Sequence, residues 1–164
     1  MTPAARFRPA GPRFRLLFGE TVADDPGGTV SPGTLFIGTP STAEDVFGWG
    51  VIYALHARAC VERGRGWQAE HYIGAVRDHA LALACFRVGL PPAQARTFDD
   101  LPAETLARFD GSHIGSLEPG ALRDALADSV AGLVREGEAA RLPRASVVAE
   151  RLVELGRISE DPMG

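Results

Sequence analysis

The sequence predicts a mostly α-helical protein: an antiparallel bundle of four to five helices, preceded by a short N-terminal strand and a linker. From Ser41 onward, apolar side chains recur at every third or fourth position, which is the period of an amphipathic helix. Glycine or proline separates these stretches, and short connections between long helices favour antiparallel neighbours. The chain has 164 residues, of which 45% are apolar and 23% charged, so it can bury a hydrophobic core.

The first 40 residues differ in character from the rest of the chain. Phe14, Leu16 and Phe18 would share one face of a strand, with Arg13 and Arg15 on the other. Residues 23–40 are rich in glycine, proline and threonine and predict a linker. The predicted organisation is therefore a strand segment at 1–22, a linker at 23–40 and a helical bundle domain at 41–157.

Two long helices are predicted to open the bundle. Ser41-Thr-Ala-Glu44 matches a capping box and predicts a helix over about residues 42–63, ending at Gly64. A second helix is predicted over 66–88, ended by Gly89 and Pro91. The predicted apolar stripe of the first helix contains Val51, Ile52, Leu55, Ala59 and Cys60.

Three further helices are predicted after these two. Asp99 or Asp100 could cap a short helix at 102–109, and Pro119 at a first-turn position opens a fourth helix to about residue 140. Pro143 opens a fifth, with Gly156 predicted just past its end. The predicted core stripes of these last two helices are Leu122, Leu126, Val130, Leu133 and Val134, then Val147, Val148, Leu152 and Leu155.

Charge, hydropathy and cysteine usage predict a cytoplasmic protein. The formal net charge of −4 argues against nucleic acid or an anionic membrane as a partner. No apolar run approaches the ~20 residues that span a bilayer, and arginines interrupt every candidate signal sequence. In an antiparallel hairpin Cys60 and Cys85 would lie about 22 Å apart, since each helical residue rises ~1.5 Å. Both are therefore predicted to be reduced core residues.

The second predicted helix is polar and aromatic at its start and apolar at its end. Glu70 and Arg77 are seven residues apart, so they share a helix face with Gly74 between them. A glycine inside a helix costs about 1 kcal/mol relative to alanine, so we expect a neighbouring helix or a ligand close to the backbone there. The alternative is a solvated face with a Glu70–Arg77 ion pair, in which Trp67 serves only packing.

Two catalytic interpretations of the histidines have little support in the sequence. Glu70-His71 reverses the start of H-E-x-x-H, but no second histidine follows at the required spacing, so no metal site is predicted. Asp78 and His79 with Ser112 would form a triad. No G-x-S-x-G elbow follows a strand, however, so a hydrolase using Asp78 and His79 is the weakest of the interpretations.

The segment FGWGVIYALHARACVERGRGWQAEHYIGAVRDHALALAC resembles the helical domain of bacterial nucleotidyltransferases of the polymerase-β-like superfamily. These are relatives of the aminoglycoside and lincosamide nucleotidyltransferases. The shared features are a helix ending in R-G, then W-Q-A-E, then a long helix carrying V-R-D-H. RFRLLFGE is also similar to the last sheet strand of that family's catalytic domain. The resemblance covers roughly residues 6–140.

The resemblance implies a substrate role for the start of the second helix. The family's helical domain flanks the active-site cleft, so Glu70, Arg77 and Asp78 would face an acceptor or the nucleotide phosphates, with Trp67 walling the pocket. Mg²⁺ and a nucleoside triphosphate are implied for the intact family, held by a G-S…D-x-D signature. This chain contains no D-x-D. We therefore expect a chain that lacks the catalytic half and is inactive alone, and no cofactor is predicted within it.

Two functions from different classes remain open on the sequence alone. The first is the acceptor-binding helical domain of a nucleotidyltransferase, whether as a truncated gene product or as a subunit beside a separate catalytic chain. The alternative is a non-catalytic helical-bundle interaction protein that acts as a dimer. In both cases we expect a homodimer, because Phe14, Leu16 and Phe18 and the apolar residues beside Trp49 and Trp67 would lack cover.

Overall fold

A computed structural model describes residues 6–7, 20–21 and 42–157, and Cα distances divide the chain into two units, Met1–Ile37 and Gly38–Gly164. In the first unit, the described residues form one short parallel pairing between β1 (Arg6–Phe7) and β2 (Glu20–Thr21). The predicted strand through Phe14, Leu16 and Phe18 and the predicted linker at 23–40 lie outside the described residues.

The second unit is mostly helical, as predicted. Its helices are α1 (Ala43–Glu62), α2 (Gly66–Arg87), α3 (Ala103–Ala107), α4 (Pro119–Ala139) and α5 (Pro143–Gly156). Single 3₁₀ turns occur at Ala93–Ala95, Phe98–Asp100 and Asp110–Ser112. Within the described residues, no helix combines the length and the apolar character that a bilayer crossing requires.

Helix α1 begins one residue later than the capping box predicted. The N-cap is Thr42 rather than Ser41, and the Thr42 hydroxyl oxygen accepts a hydrogen bond from the Asp45 amide at 3.1 Å. That hydroxyl also donates to the Asp45 carboxylate at 2.8 Å. Thr42 and Asp45 therefore supply the cap that the sequence assigned to Ser41 and Glu44, because Asp45 is the residue three positions after the true cap.

Glycines end the first two helices where the sequence predicted. Gly64 has φ +64 and Gly89 has φ +76, both in the left-handed region that glycine adopts without a steric penalty. Arg65 donates its amide to the Cys60 carbonyl at 2.9 Å, and Leu90 donates to Cys85 at the same distance. These bonds satisfy carbonyls at the helix ends and fold α2 back along α1.

The buried stripe of α1 differs from the predicted one. Ile52 and Leu55 are 41% and 52% exposed, so their assignment to the core is wrong. Cys60 is buried as predicted, and the other buried residues of α1 are Val46, Phe47, Gly50, Ala54, Ala57 and Val61. Small residues at this stripe let the helices approach closely, since a Cβ on Gly50 would lie 2.7 Å from the Leu133 side chain.

The other helices complete the core around α4. The predicted stripe of α4 is confirmed: Leu122, Leu126, Val130, Leu133 and Val134 are all buried. In α5, Leu152 is buried as predicted but Val147 is 80% exposed, because α5 packs only one face against α4 and α1. Gly156 is the last helical residue of α5, not the residue after it. Both cysteines are buried among these helices, as predicted.

The segment between α2 and α4 contains short turns rather than the single helix predicted at 102–109. Helix α3 covers only Ala103–Ala107, and its N-cap is Pro102, not Asp99 or Asp100. Ser112 is fully buried and donates its hydroxyl to the Phe109 carbonyl. This bond gives Ser112 a structural role within its own turn, and its hydroxyl group is not free to act as a nucleophile.

Candidate functional site

The four predicted site residues lie along α2 without forming one site. Trp67 is 78% exposed on the first turn, and Glu70 is exposed about one turn later. Arg77 is half-buried and Asp78 exposed. Since Trp67 and Asp78 are separated by roughly 16 Å of helix, the structure brings together only Arg77 and Asp78.

Arg77 forms an ion pair with Asp78 rather than with Glu70. Its Nε and Nη2 atoms both donate to Asp78 Oδ1, at 3.2 and 3.1 Å. The predicted close approach at Gly74 is not observed among the described residues, where the nearest contact of an added Cβ is Arg77 Nη2 at 3.6 Å. Arg77 therefore covers Gly74, and it positions the carboxylate of Asp78.

A cavity of about 620 Å³ lies beside the second half of α2. Asp78, His79, Ala82 and Phe86 of α2 form one wall, Val46 of α1 contributes beside them, and residues 91–95 with Phe98 form the opposite wall. A volume of this size is typical of a small-molecule site, since such sites enclose about 300–1,000 Å³. This cavity therefore extends from Asp78 and His79 toward the end of α2 that the sequence assigned to the core.

The segment that forms this opposite wall contacts α2 through Thr97 and Cys85. The Thr97 hydroxyl donates to the Pro91 carbonyl at 2.8 Å, and it lies 3.6 Å from Cys85 Sγ. Burial raises the pKa of the Cys85 thiol, so this sulfur is a packing group rather than a nucleophile. Gln94 and Ala95 have φ values of 57° and 59°, a left-handed conformation that is costly for residues with a Cβ.

His79 is the most constrained polar side chain of the cavity. Its Nδ1 lies 2.8 Å from the Ala75 carbonyl oxygen, which can only accept, so Nδ1 carries the proton. Its ring lies edge-on to Tyr53, with the centroids 5.1 Å apart. Burial lowers the pKa of His79, against weaker raising effects of Ala75 and Asp78. The imidazole is therefore neutral at pH 7, and Nε2 is a hydrogen-bond acceptor.

This tautomer argues against the hydrolase interpretation. A catalytic triad requires the carboxylate to accept from His Nδ1 so that Nε2 can take a proton from the nucleophile. Here Nδ1 donates to a backbone carbonyl, and the Asp78 carboxylate is bonded to Arg77. Asp78 and His79 are consecutive residues of one helix, and they do not form a dyad.

Metal ligands are not grouped in the part of the chain that the structure describes. There, no three side chains of His, Cys, Asp or Glu lie close enough to hold an ion. Mg²⁺ is therefore implied only by the resemblance to nucleotidyltransferases, whose carboxylate signature is missing from this sequence.

A second exposed feature lies on the outer face of α1, formed by Trp49, Ile52 and Leu55. These side chains are 40%, 41% and 52% exposed. Tyr53 contacts the Trp49 ring with centroids 5.9 Å apart and stacks on Tyr72 of α2 at 6.0 Å. The outer face of α1 is thus an apolar surface supported from below by aromatic side chains.

Sequence reasoning missed most of the residues that form the cavity. Phe86 belongs to the apolar end of the second predicted helix, Pro91 was predicted to stop that helix, and no role was predicted for Val46 or Phe98. One signal was present: the two prolines precede a polar Gln94 and an aromatic Phe98 within eight residues, which is a stiff segment with a mixed surface.

Comparison with protein-family models, with curated proteins and with solved structures gave no match. The geometry and chemistry of the cavity are therefore the ground on which a function is proposed.

Proposed function

We propose that residues 41–157 form the acceptor-binding helical domain of a nucleotidyltransferase-type enzyme, with a small-molecule acceptor held in the cavity beside α2. The observation that carries this proposal is the 620 Å³ cavity with Asp78 and a neutral His79 in one wall. A few oriented polar groups in a mainly apolar pocket are characteristic of small-molecule sites. The V-R-D-H sequence that carries the resemblance supplies these two polar groups.

In this proposal, binding and transfer belong to different domains. The apolar walls hold the body of the acceptor, while Asp78 and His79 orient its polar group and Arg77 fixes the Asp78 carboxylate. Nucleotide and Mg²⁺ would be bound by a separate catalytic domain, because this sequence contains no D-x-D to bridge two metal ions. Trp67 and Glu70, at the far end of α2, would contact that domain rather than the acceptor.

Filling the cavity is expected to abolish acceptor binding. Thermal melting would be followed with a panel of aminoglycosides, lincosamides and hydroxylated ring compounds, and at least one class should stabilise the wild type in a saturable way. Ala82→Trp should remove this shift because the indole would occupy the cavity, whereas Ala131→Trp on the exposed side of α4 should leave it intact. If no compound of the panel raised the melting temperature of the wild type or of the Ala131→Trp control, the result would contradict an acceptor site.

The same preparation should transfer no label from Mg²⁺–ATP to any member of the panel. Transfer requires the metal-binding carboxylates, which the resemblance places in the catalytic domain. Magnesium-dependent labelling of an acceptor by this chain alone would show that the catalytic groups are within it.

A second function, that of a dimeric interaction protein, is favoured by the outer face of α1. Stable complexes bury about 800 Å² per partner, and three partly exposed side chains supply less than that, so the dimer should be weak. We expect sedimentation across a hundredfold dilution to show reversible dimerisation that Leu55→Asp abolishes. Val147→Asp is the matched control, since Val147 is 80% exposed on α5 and lies outside this face. A wild-type chain that stays monomeric at the highest concentration would contradict this function.

A further inference from the structure

We propose that the cavity beside α2 selects an uncharged ring compound carrying a hydroxyl group, and that this hydroxyl donates a hydrogen bond to His79 Nε2. This inference rests on the proposed function, because it names the class of acceptor that the same cavity would hold. The inference also excludes a polycationic sugar as the ligand. Such a sugar would require a polar and negatively charged lining, whereas an uncharged ring requires an apolar one.

The walls of the cavity match an apolar ring. Eight of the eleven side chains that line it are hydrocarbon, among them Phe86, Phe98 and two consecutive prolines. Aromatic and proline surfaces bind a flat ring by contact and by removal of water. A sugar with many hydroxyl and amino groups would lose hydrogen bonds to water here without finding replacements.

The charge of the cavity matches an uncharged ligand. Among the described residues that line the cavity, Asp78 is the only acidic side chain, and His79, the only basic one, is neutral. Two N–H groups of Arg77 already bind Asp78 Oδ1, so the field of this carboxylate is largely compensated. A polycation would need several uncompensated carboxylates, as each ammonium group that leaves water requires a partner.

The hydrogen-bonding capacity of His79 selects a donor. Its single N–H is committed to the Ala75 carbonyl at 2.8 Å, and Nε2 has no hydrogen-bond partner among the described residues. A ligand hydroxyl can donate to this acceptor, whereas the corresponding ether has no hydrogen to donate. Sites built around such a bond discriminate strongly against analogues that lack the donor.

The rigidity of the opposite wall limits the size and shape of the ligand. Pro91 and Pro92 have fixed φ angles, the Thr97 hydroxyl donates to the Pro91 carbonyl within the wall, and the same hydroxyl lies 3.6 Å from Cys85 Sγ of α2. A wall stiffened in this way favours a ligand of one or two fused rings in a single orientation. The hydroxyl is then directed to the α2 side, where the polar residues of the cavity are concentrated.

The test compares three probes on the full chain: 2-naphthol, 2-methoxynaphthalene and kanamycin. Equilibrium dialysis should show 2-naphthol binding at least about tenfold more tightly than its methyl ether, the ratio expected for one hydrogen bond. Kanamycin should not compete. His79→Phe keeps an apolar ring and removes the acceptor, so it should reduce the preference to within about twofold, while His113→Phe, at an exposed histidine that does not line the cavity, should leave it unchanged.

A second measurement needs no substitution at His79. In ¹⁵N NMR spectra of the histidines, 2-naphthol should shift the His79 Nε2 resonance in the direction of an accepted hydrogen bond, and the ether should not. Equal binding of naphthol and ether, or a preference that persists in a folded His79→Phe variant, would overturn the hydrogen bond. Binding of kanamycin alone, blocked by Ala82→Trp, would overturn the ligand class and leave the acceptor site standing. If no probe bound and the acceptor panel also failed, the proposed function would fall as well.

Discussion

Replacing Arg87 with methionine is expected to destabilise the protein by about 3 kcal/mol, because the change leaves a buried carboxylate without its main partner. Glu136 of α4 is 1% exposed, and its Oε2 accepts from Arg87 Nε and Nη2 at 3.3 and 3.1 Å. The only other cation on Glu136 among the described residues is Arg135, whose Nε lies 3.5 Å from Oε1. Chemical denaturation of the variant and the wild type measures the difference directly.

The double variant separates the cost of an unpaired charge from the value of the ion pair itself. Arg87→Met combined with Glu136→Met should be within about 1 kcal/mol of the wild type, since apolar groups of similar size often replace a buried ion pair without loss. Arg58→Met is the matched surface control, because its partner Glu62 has a side chain that is 47% exposed and remains hydrated. That change should cost below about 1 kcal/mol. Equal losses in Arg58→Met and Arg87→Met would mean that Glu136 is hydrated in solution.

The ends of the helices could be predicted from local chemistry. Pro119 and Pro143 begin α4 and α5 in the structure as they do in the sequence prediction, because proline at a first-turn position needs no amide partner and has a helical φ. Gly64 and Gly89 end α1 and α2 for a reason that is equally local. The cap of α1 was displaced by one residue, because Thr42 and Ser41 are chemically equivalent candidates, and the end of α5 and the cap of α3 also differ from the prediction.

The face that each helix buries could be predicted only where a single apolar stripe existed. Helix α4 has one such stripe, and all five apolar residues that were predicted for it are buried. Helix α1 has two: large residues at Ile52 and Leu55, and small ones at Gly50 and Ala54. Hydrophobicity favours the large stripe, but close packing against α2 and α4 requires the small one, and that requirement appears only when the partner helices are known.

The cavity also depends on contacts between segments that are distant in the sequence, and for this reason it could not be predicted. Its polar groups, Asp78 and His79, belong to the V-R-D-H motif that is distinctive in the sequence, but the direction of the His79 proton depends on the Ala75 carbonyl. Its opposite wall lies 12 or more residues further along the chain. Glu136 was missed for the same reason, because the arginine that makes its burial tolerable is on another helix.

The buried ring of Phe47 on α1 packs against Gly137 on α4, and this contact leads to a second large effect. A Cβ on Gly137 would lie 2.7 Å from the ring of Phe47 and 3.0 Å from the Cβ of Ala145. Phe47 is 1% exposed, so its ring cannot move aside into solvent. The absence of a side chain at Gly137 therefore allows both α1 and α5 to pack closely against α4 at this position.

Gly137→Val is expected to destabilise the protein by about 3 kcal/mol, because its methyl groups would overpack this three-helix contact. For a chain of this size the loss corresponds to a melting temperature roughly 6–12 °C lower. Gly48→Ala in α1 is the matched control, since a Cβ there would meet nothing within 4 Å. That variant should gain up to about 1 kcal/mol from helix propensity alone.

A compensating substitution identifies the cause of the Gly137 effect. Phe47→Leu removes ring atoms from the space that the introduced valine side chain would occupy, so adding it to Gly137→Val should restore at least about 1 kcal/mol, although it opens a cavity when introduced alone. The coupling energy from the four-variant cycle is the quantity to measure. If the free-energy changes of the two substitutions were strictly additive, the introduced valine would not clash with Phe47. The overpacking would then be relieved by movement of α5 away from α4 at Ala145. In that case Ala145→Gly, rather than Phe47→Leu, should rescue the Gly137→Val variant.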